Sequence, residues 1–333
     1  MTAATRPDLY LCNAYRHLLV ALALVIAAGR PAWVIYLEDE CPLPPDLRAR
    51  LARACPEARL ICSKDRTQMA AFMRLPGFVP GILRRNLRPA PVWPGLIRPG
   101  RWRAPLLEGQ RFATGHVFHA GFFFSKVVAG SCDRVVLRES GLNNYITLPV
   151  PRGKALLRGL SGLPTRAQVW GEDRWIDRIE VSRPEDLPAP VRGKGHGFRL
   201  EDLFAALPQD RARALGAAFL GGPQPPDAAE AKGTYPADLS TGGPDALLLT
   251  QPLEDIDLCS AAEKRALYAA LVTVLRAHGY RVHVKPHPRE RVVPLPDTRT
   301  LPAEVPIEAW PLASAQRFDL AVAYGQVGFS YIL

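Results

Sequence analysis

Two short segments carry side chains whose types suit group transfer. Lys285-Pro286-His287-Pro288 follows the apolar run Tyr280-Arg281-Val282-His283-Val284. That order puts an imidazole at the C-terminal tip of a buried strand, the edge at which open α/β sheets bind ligands. The two prolines keep the backbone around it stiff and non-helical. A histidine there can donate a proton or hydrogen bond to a departing phosphate oxygen, and Lys285 adds positive charge. The second segment, Glu139-Ser140-Gly141, ends the apolar run Asp133–Leu137. A carboxylate at such a tip suits a general base, and glycine lets a substrate approach the backbone. Each has an ordinary structural alternative, a loop-capping histidine and a simple turn.

Two further tips offer polar groups. Thr250-Gln251-Pro252-Leu253 leaves another strand, and Gly328-Phe329-Ser330 follows the last one. Ser330 and nearby backbone N–H groups suit a phosphate. Other patterns carry less. Asp255-Ile256-Asp257 resembles a D-x-D cation site, but it precedes a helix start, where acidic residues favour the dipole. Arg192–Gly197 is glycine-rich and basic without the phosphate-loop pattern. His116 and His119 lack a third ligand nearby, so no metal is expected.

The elements that must position these tips alternate between strand and helix. Strands are expected at Asp8–Asn13, Trp33–Leu37 and Ala58–Cys62, with helices at Ala14–Gly29 and Pro45–Cys55 between them. The pattern resumes with a strand at His116–Ala120, a helix at Gly121–Ala129 and a strand at Asp133–Leu137; Phe198–Phe219 reads as one helix. Further on come a strand at Ala246–Thr250, a Ser260/Glu263 capping box and a helix closed by Gly279. Its expected core stripe is Leu267, Ala270, Leu271, Val274 and Leu275. Strands follow at Tyr280–Lys285 and Phe318–Ala323. Alternation of this kind implies parallel sheets with covered faces.

The expected domains are 1–220 and 245–333, separated by a Pro/Gly/Ala linker at 221–244. Both read as Rossmann-like, the second as truncated at its C-terminus. Residues 76–108 interrupt the first with a basic excursion, in which Trp93 and Trp102 lie among Arg84, Arg85, Arg88, Arg101 and Arg103. Those arginines are candidates for contact with an acidic acceptor or a membrane headgroup layer.

The charge balance, 42 Lys+Arg against 32 Asp+Glu for a net +10, favours anionic partners without choosing among them. Nucleic acid ranks last, because no binding module accompanies the charge. The six cysteines show no C-x-x-C pair and read as reduced core thiols. Leu18–Gly29 is too short to span a bilayer and follows a strand-like run, so it reads as a buried helix rather than a signal segment.

Together the motifs resemble bacterial sialyltransferases of the glycosyltransferase family 52 and α-2,8-polysialyltransferase type. The features that carry this are Leu9–Asn13, Arg138–Tyr145, Leu248–Leu253, Lys285–Pro288, Val305–Glu308 and Ser330, in that order. The resemblance implies a GT-B fold, two Rossmann-like domains facing a cleft. It implies CMP-sialic acid or another nucleotide sugar as donor substrate, no cofactor or metal, and an oligosaccharide or glycolipid acceptor at the cell surface. Glu139 would be the base and His287 the group that meets the leaving phosphate. Lys285, Pro288, Gln251, Ser330, Gly141 and Asn13 would bind the donor. A cytoplasmic location goes with it, with peripheral contact on the inner face of an anionic membrane. Ser140 stands where the family has a second acidic residue. That departure motivates the alternative of an inactive or truncated relative that binds nucleotide or polyanion without turnover.

Overall fold

A computed structural model describes residues 6–73, 104–160, 163–221, 243–256, 258–290, 295–313 and 317–323. The chain divides into two compact units. One holds residues up to Pro44 and Cys55–Ala206; the other holds Pro45–Ala54 and the chain from Leu207 onward.

The first unit is built on strands β1 (Asp8–Cys12), β2 (Ala32–Leu37), β3 (Ala58–Ser63), β4 (Phe112–Val117), β5 (Cys132–Arg138), β8 (Arg178–Val181) and β9 (Gly195–Gly197). They form a parallel sheet in the order β3-β2-β1-β4-β5-β8-β9, and β6 (Thr147–Pro149) and β7 (Ala167–Val169) pair separately as an antiparallel ribbon. The strand order reverses between β1 and β4. At such a switch point the loops leave in opposite directions and open a crevice at the carboxyl ends.

Helix α1 (Tyr15–Ala28) makes the first crossover. Almost every side chain from Tyr15 to Ile26 is buried, as expected of a helix apolar on all sides. Gly29 stops it at φ +61°, donating its N–H to the carbonyls of Val25 and Ile26. An L side chain would be strained in that left-handed turn. Helix α3 (Asp65–Met73) follows β3, and α4 (Phe123–Ser131) joins β4 to β5. Phe124, Val127 and Val128 of α4 pack into a core with Leu9, Leu11, Val117, Leu137 and Ile179 of the sheet. Each such side chain contributes about 1.5–3 kcal/mol on burial. The strand expected at His116–Ala120 lies earlier, at Phe112–Val117, which leaves Phe118 and His119 in the loop beyond its tip. After α5 (Arg152–Leu160) and the short α6 (Ala189–Arg192), the single helix expected over Phe198–Phe219 is two. Helix α7 (Leu200–Ala205) ends before Leu207-Pro208, and α8 (Gln209–Leu220) starts after it. Proline lacks the N–H that a continuing helix would need, so it sits at the N-terminal boundary of α8.

The second unit has a parallel sheet of β10 (Asp245–Leu249), β11 (Arg281–Lys285), β12 (Arg299–Thr300) and β13 (Leu320–Ala323), in the order β12-β11-β10-β13. Its strand order reverses between β10 and β13. Helix α9 (Ala261–Ala277) carries the expected capping box. Ser260 Oγ accepts the Glu263 N–H, and the Glu263 carboxylate accepts the Ser260 N–H. Its buried face is Lys264, Tyr268, Val272 and Leu275, whereas Leu267, Ala270 and Val274 are exposed. Of the expected stripe, Leu275 is buried and Leu271 packs against the core, and the other three face out. The true stripe includes a lysine and a tyrosine, whose apolar stems are buried while their polar ends bond at the strand tips.

Helix α2 (Pro45–Ala54) and α8 group with this second unit, not with the first domain to which their sequence positions assign them. Arg50 Nε of α2 donates to the carbonyl of Ala218 in α8 at 2.7 Å. Gly216 of α8 lies against the short α10 (Trp310–Ala313). A Cβ at Gly216 would come within 2.9 Å of the Ala313 nitrogen and 2.8 Å of its Cβ. Backbone cannot yield to that as a flexible side chain can. Gly216→Ala is expected to destabilise the protein by about 1–3 kcal/mol in urea unfolding, the usual cost of overpacking.

Candidate active site

The carboxyl edge of the first sheet gathers polar side chains from β1, β4, β5 and β8. Glu139 leaves β5 and turns towards the end of β8. Its carboxylate accepts the Ser182 N–H at 2.6 Å and the Ser182 hydroxyl at 3.2 Å. The Ser182 hydroxyl has one proton, and the carboxylate takes it. The Tyr145 phenol lies 3.1 Å from Ser182 Oγ, and its oxygen accepts the Arg183 N–H at 3.3 Å. The Ser182 N–H and hydroxyl both aim donors at Glu139. Burial holds the Tyr145 phenol above its ordinary pKa, and the neighbouring Glu139 adds to that. Gly141 sits at φ +127°, where glycine is favoured, and the space a Cβ would occupy is open. The loop is braced from below by buried Asn144, whose Oδ1 accepts the Ser140 N–H at 2.9 Å.

Ser140 turns the other way. Its hydroxyl lies 3.0 Å from Nε2 of His17, and His17 Nδ1 lies 2.9 Å from Oδ1 of Asn13. His17 is buried and stacked on Phe118 at 4.4 Å between ring centres. Burial, with Arg16 and His119 nearby, holds it well below the ordinary histidine pKa, so the ring is neutral. Asn13, expected to bind donor, thus spends its side-chain carbonyl on His17.

The second sheet presents His287 just past β11. Its Nδ1 accepts the Arg289 N–H at 3.2 Å, so a neutral ring carries its proton on Nε2 and keeps it available for donation. Burial pushes its pKa down to about 4, helped by the charges of Arg289 and Lys285. Lys285 is placed differently from its sequence-based role. Its ammonium is buried and donates to the carbonyls of Pro286 and Ala303, each at 2.9 Å. Its charge acts on His287 from within the loop. Pro288 is exposed in the turn, and Gln251 follows β10 with its N–H donated to the Tyr268 hydroxyl at 2.9 Å. Ser330 and Arg84, Arg85, Arg88, Arg101 and Arg103 lie outside the described residues.

What fixes the His287 loop is a group that sequence reasoning missed. The Glu290 carboxylate, on a side chain 6% exposed, accepts the His287 N–H at 3.2 Å and the Thr250 hydroxyl on one oxygen, and Lys264 Nζ at 2.8 Å on the other. Lys264 also pairs with Glu254 at 2.5 Å. Burial works against the Lys264 ammonium, but the two carboxylates outweigh it and raise its pKa. The adjoining cavity of about 60 Å³, lined in part by Thr250, Lys264, Tyr268 and Glu290, is water-sized rather than nucleotide-sized. The available signals were the spacing His287-x-x-Glu290 here and Asn13-x-x-x-His17 in the first unit. Among the described residues no cluster of His, Cys, Asp and Glu could hold a metal ion, and no helix is long and apolar enough to cross a membrane.

Parallel sheets, helical crossovers and polar residues gathered at strand tips make this a Rossmann-like α/β protein. A family model narrows the likeness: the alpha-2,8-polysialyltransferase (POLYST) model matches residues 229–296, a stretch that contains β10, α9, β11 and the His287 tip. That similarity supports a glycosyltransferase of sialyltransferase type. No curated protein matches the chain.

Two outcomes are expected here. Lys264→Met leaves Glu254 and Glu290 without their cation and should cost about 3–5 kcal/mol in chemical denaturation. The depressed pKa of His287 sets a pH window. Above pH 6.5 neither folded nor unfolded chain binds its proton. Between 6.5 and about 4 the unfolded chain takes up the proton that the fold refuses, so stability falls as pH falls. His287→Gln should flatten that fall, measured as the difference in urea-unfolding free energy between pH 7 and pH 4.5. A parallel slope in wild type and variant would contradict it.

Proposed function

We propose that this chain is an inverting sialyltransferase that moves a sialyl group from CMP-sialic acid to a hydroxyl of a cell-surface glycan. The observation that carries the reading is the polysialyltransferase similarity over residues 229–296, which includes His287 at a strand tip. The oriented carboxylate of Glu139, also at a strand tip, supports it from the first unit. A GT-B organisation, with the two units serving one reaction, belongs to the proposal. So do cytoplasmic location, peripheral contact with an anionic membrane, and donor binding by residues around Gln251, Pro288 and Ser330.

In this reading the acceptor O–H gives its proton to Glu139, and the acceptor oxygen attacks the anomeric carbon of the donor. The bond from that carbon to the phosphate oxygen breaks, and its electron pair leaves with CMP. Neutral His287 meets the new phosphate charge with its Nε2–H as a hydrogen-bond donor. The low pKa of the free ring disfavours a standing imidazolium before the donor binds. Lys285 supports this from the loop as a fixed charge rather than by contact. No metal has a step in this scheme.

The test is CMP release from CMP-sialic acid with a short α-2,8-linked oligosialic acid as acceptor. Glu139→Gln should lower the rate about a thousandfold and His287→Ala about a hundredfold, within the ordinary range for acid–base and charge-stabilising groups. Release by the wild-type protein should show no inflection near pH 6.5. Equal rates for wild type and either variant would remove the role given to that residue.

A further inference from the structure

The Glu139–Ser140 tip ends two hydrogen-bond chains that run in opposite senses. On Glu139, donors point at the carboxylate. On Ser140, the proton runs inward. The Asn13 amide oxygen faces His17 Nδ1 at 2.9 Å, and an oxygen there can only accept. His17 Nδ1 therefore carries the hydrogen, and Nε2 of the neutral ring has a bare lone pair. The Ser140 hydroxyl, 3.0 Å from Nε2, must be the donor. Its one proton is spent. What Ser140 keeps is an oxygen with lone pairs, on a half-buried residue beside open space at Gly141.

The arrangement also has the order of a serine–histidine–asparagine relay for nucleophilic attack. Two observations weigh against that use. His17 is buried against Phe118 with Arg16 on its own helix and His119 from the loop after β4 as charged or titratable neighbours, and neither stabilises an imidazolium. The third member is an amide, which orients the ring without neutralising it. The Ser140 N–H is already donated to Asn144 and does not supply an anion-binding group.

We propose that Ser140 is an acceptor-sugar binding residue that takes a hydrogen bond from a substrate hydroxyl, and that His17 is the positioning residue that keeps the serine proton turned away. A free serine hydroxyl rotates and can donate or accept. One locked as an acceptor selects a ligand that brings its own O–H. Glu139 likewise presents only oxygen to such a ligand, so the tip favours a polyhydroxylated sugar. This rests on reading Glu139 as the base for the acceptor hydroxyl.

Three measurements decide it. Nitrogen NMR of the wild-type protein should show His17 protonated on Nδ1 and bare on Nε2 at pH 7, with the Nε2 signal shifted in Ser140→Ala; the opposite tautomer would overturn the proposal. In calorimetric titration with α-2,8-linked trisialic acid, Ser140→Ala and His17→Phe should each weaken binding about five- to tenfold, the worth of one hydrogen bond. The double variant should be no weaker than Ser140→Ala alone, because the histidine acts only through the serine. Affinity for CMP should stay unchanged in all of them. Ser140→Ala is the variant least exposed to misfolding, and trisialic acid binding it as tightly as wild type, or binding neither, would overturn the proposal. Labelling of Ser140 by a fluorophosphonate would do the same by marking a nucleophile. The Glu139 reading fails separately: if Glu139→Gln keeps full turnover while Ser140→Ala still weakens trisialic acid, the base assignment falls and the Ser140 site stands.

Discussion

A buried carboxylate governs the second unit. Glu290 stands three residues past His287 and accepts from the histidine N–H, from the Thr250 hydroxyl and from Lys264. Those three partners come from the loop after β11, the tip of β10 and the first turn of α9. One side chain thus ties together the two strand ends and the crossover helix between them. Burying its charge is tolerable because Lys264 and two hydrogen bonds replace the water it loses. The imidazole inherits its orientation from this arrangement. Its backbone is held by Glu290, and its Nδ1 is occupied by the Arg289 N–H. That leaves Nε2 as the nitrogen that carries the proton of the neutral ring.

In the first unit the same economy works through direction rather than charge. The parallel order places the exits of β1, β4, β5 and β8 on one edge. From there the chain needs only small polar residues to set proton directions. The Ser182 N–H and hydroxyl point protons towards Glu139; His17 and Asn13 draw one away from Ser140. Consecutive residues thereby become acceptors by opposite means. The open backbone at Gly141 completes a surface that meets donors.

Much of the sheet framework was legible because buried parallel strands are short apolar runs ending in Gly, Pro or polar tips. Asp8–Cys12, Ala32–Leu37 and Arg281–Lys285 lie within a residue of their expected bounds. The capping box of α9 was legible for a local reason, since both partners lie within one turn. Its buried face was legible only in part: Leu271 and Leu275 belong to it, but Leu267 and Val274 are apolar and exposed, while Lys264 and Tyr268 are amphipathic and buried. Long-range packing is not local in sequence: α2 meets α8, more than 150 positions away, at the Arg50–Ala218 contact. Glu139 and His287 could be nominated because residue type and strand-tip position suffice. Ser182 could not, since its partner is 43 positions earlier, and His17 meets a serine 123 positions away.

The structure changes what kind of histidine His287 is. Sequence made it a rigid imidazole beside a lysine, able to give a departing phosphate either a proton or a hydrogen bond. In the fold the lysine is buried on carbonyls and its positive charge, with that of Arg289, works against protonating the ring. A neutral imidazole is still a good partner for a departing phosphate if its one N–H is aimed outward. The Arg289 N–H, by occupying Nδ1, fixes that proton on Nε2. Such a group brings no charge of its own, so it does not hold an anion in the ground state as a fixed cation would. In the proposed transfer, a hydrogen bond from such a group would gain strength as negative charge builds on the phosphate oxygen, and only interactions that strengthen in this way lower a barrier.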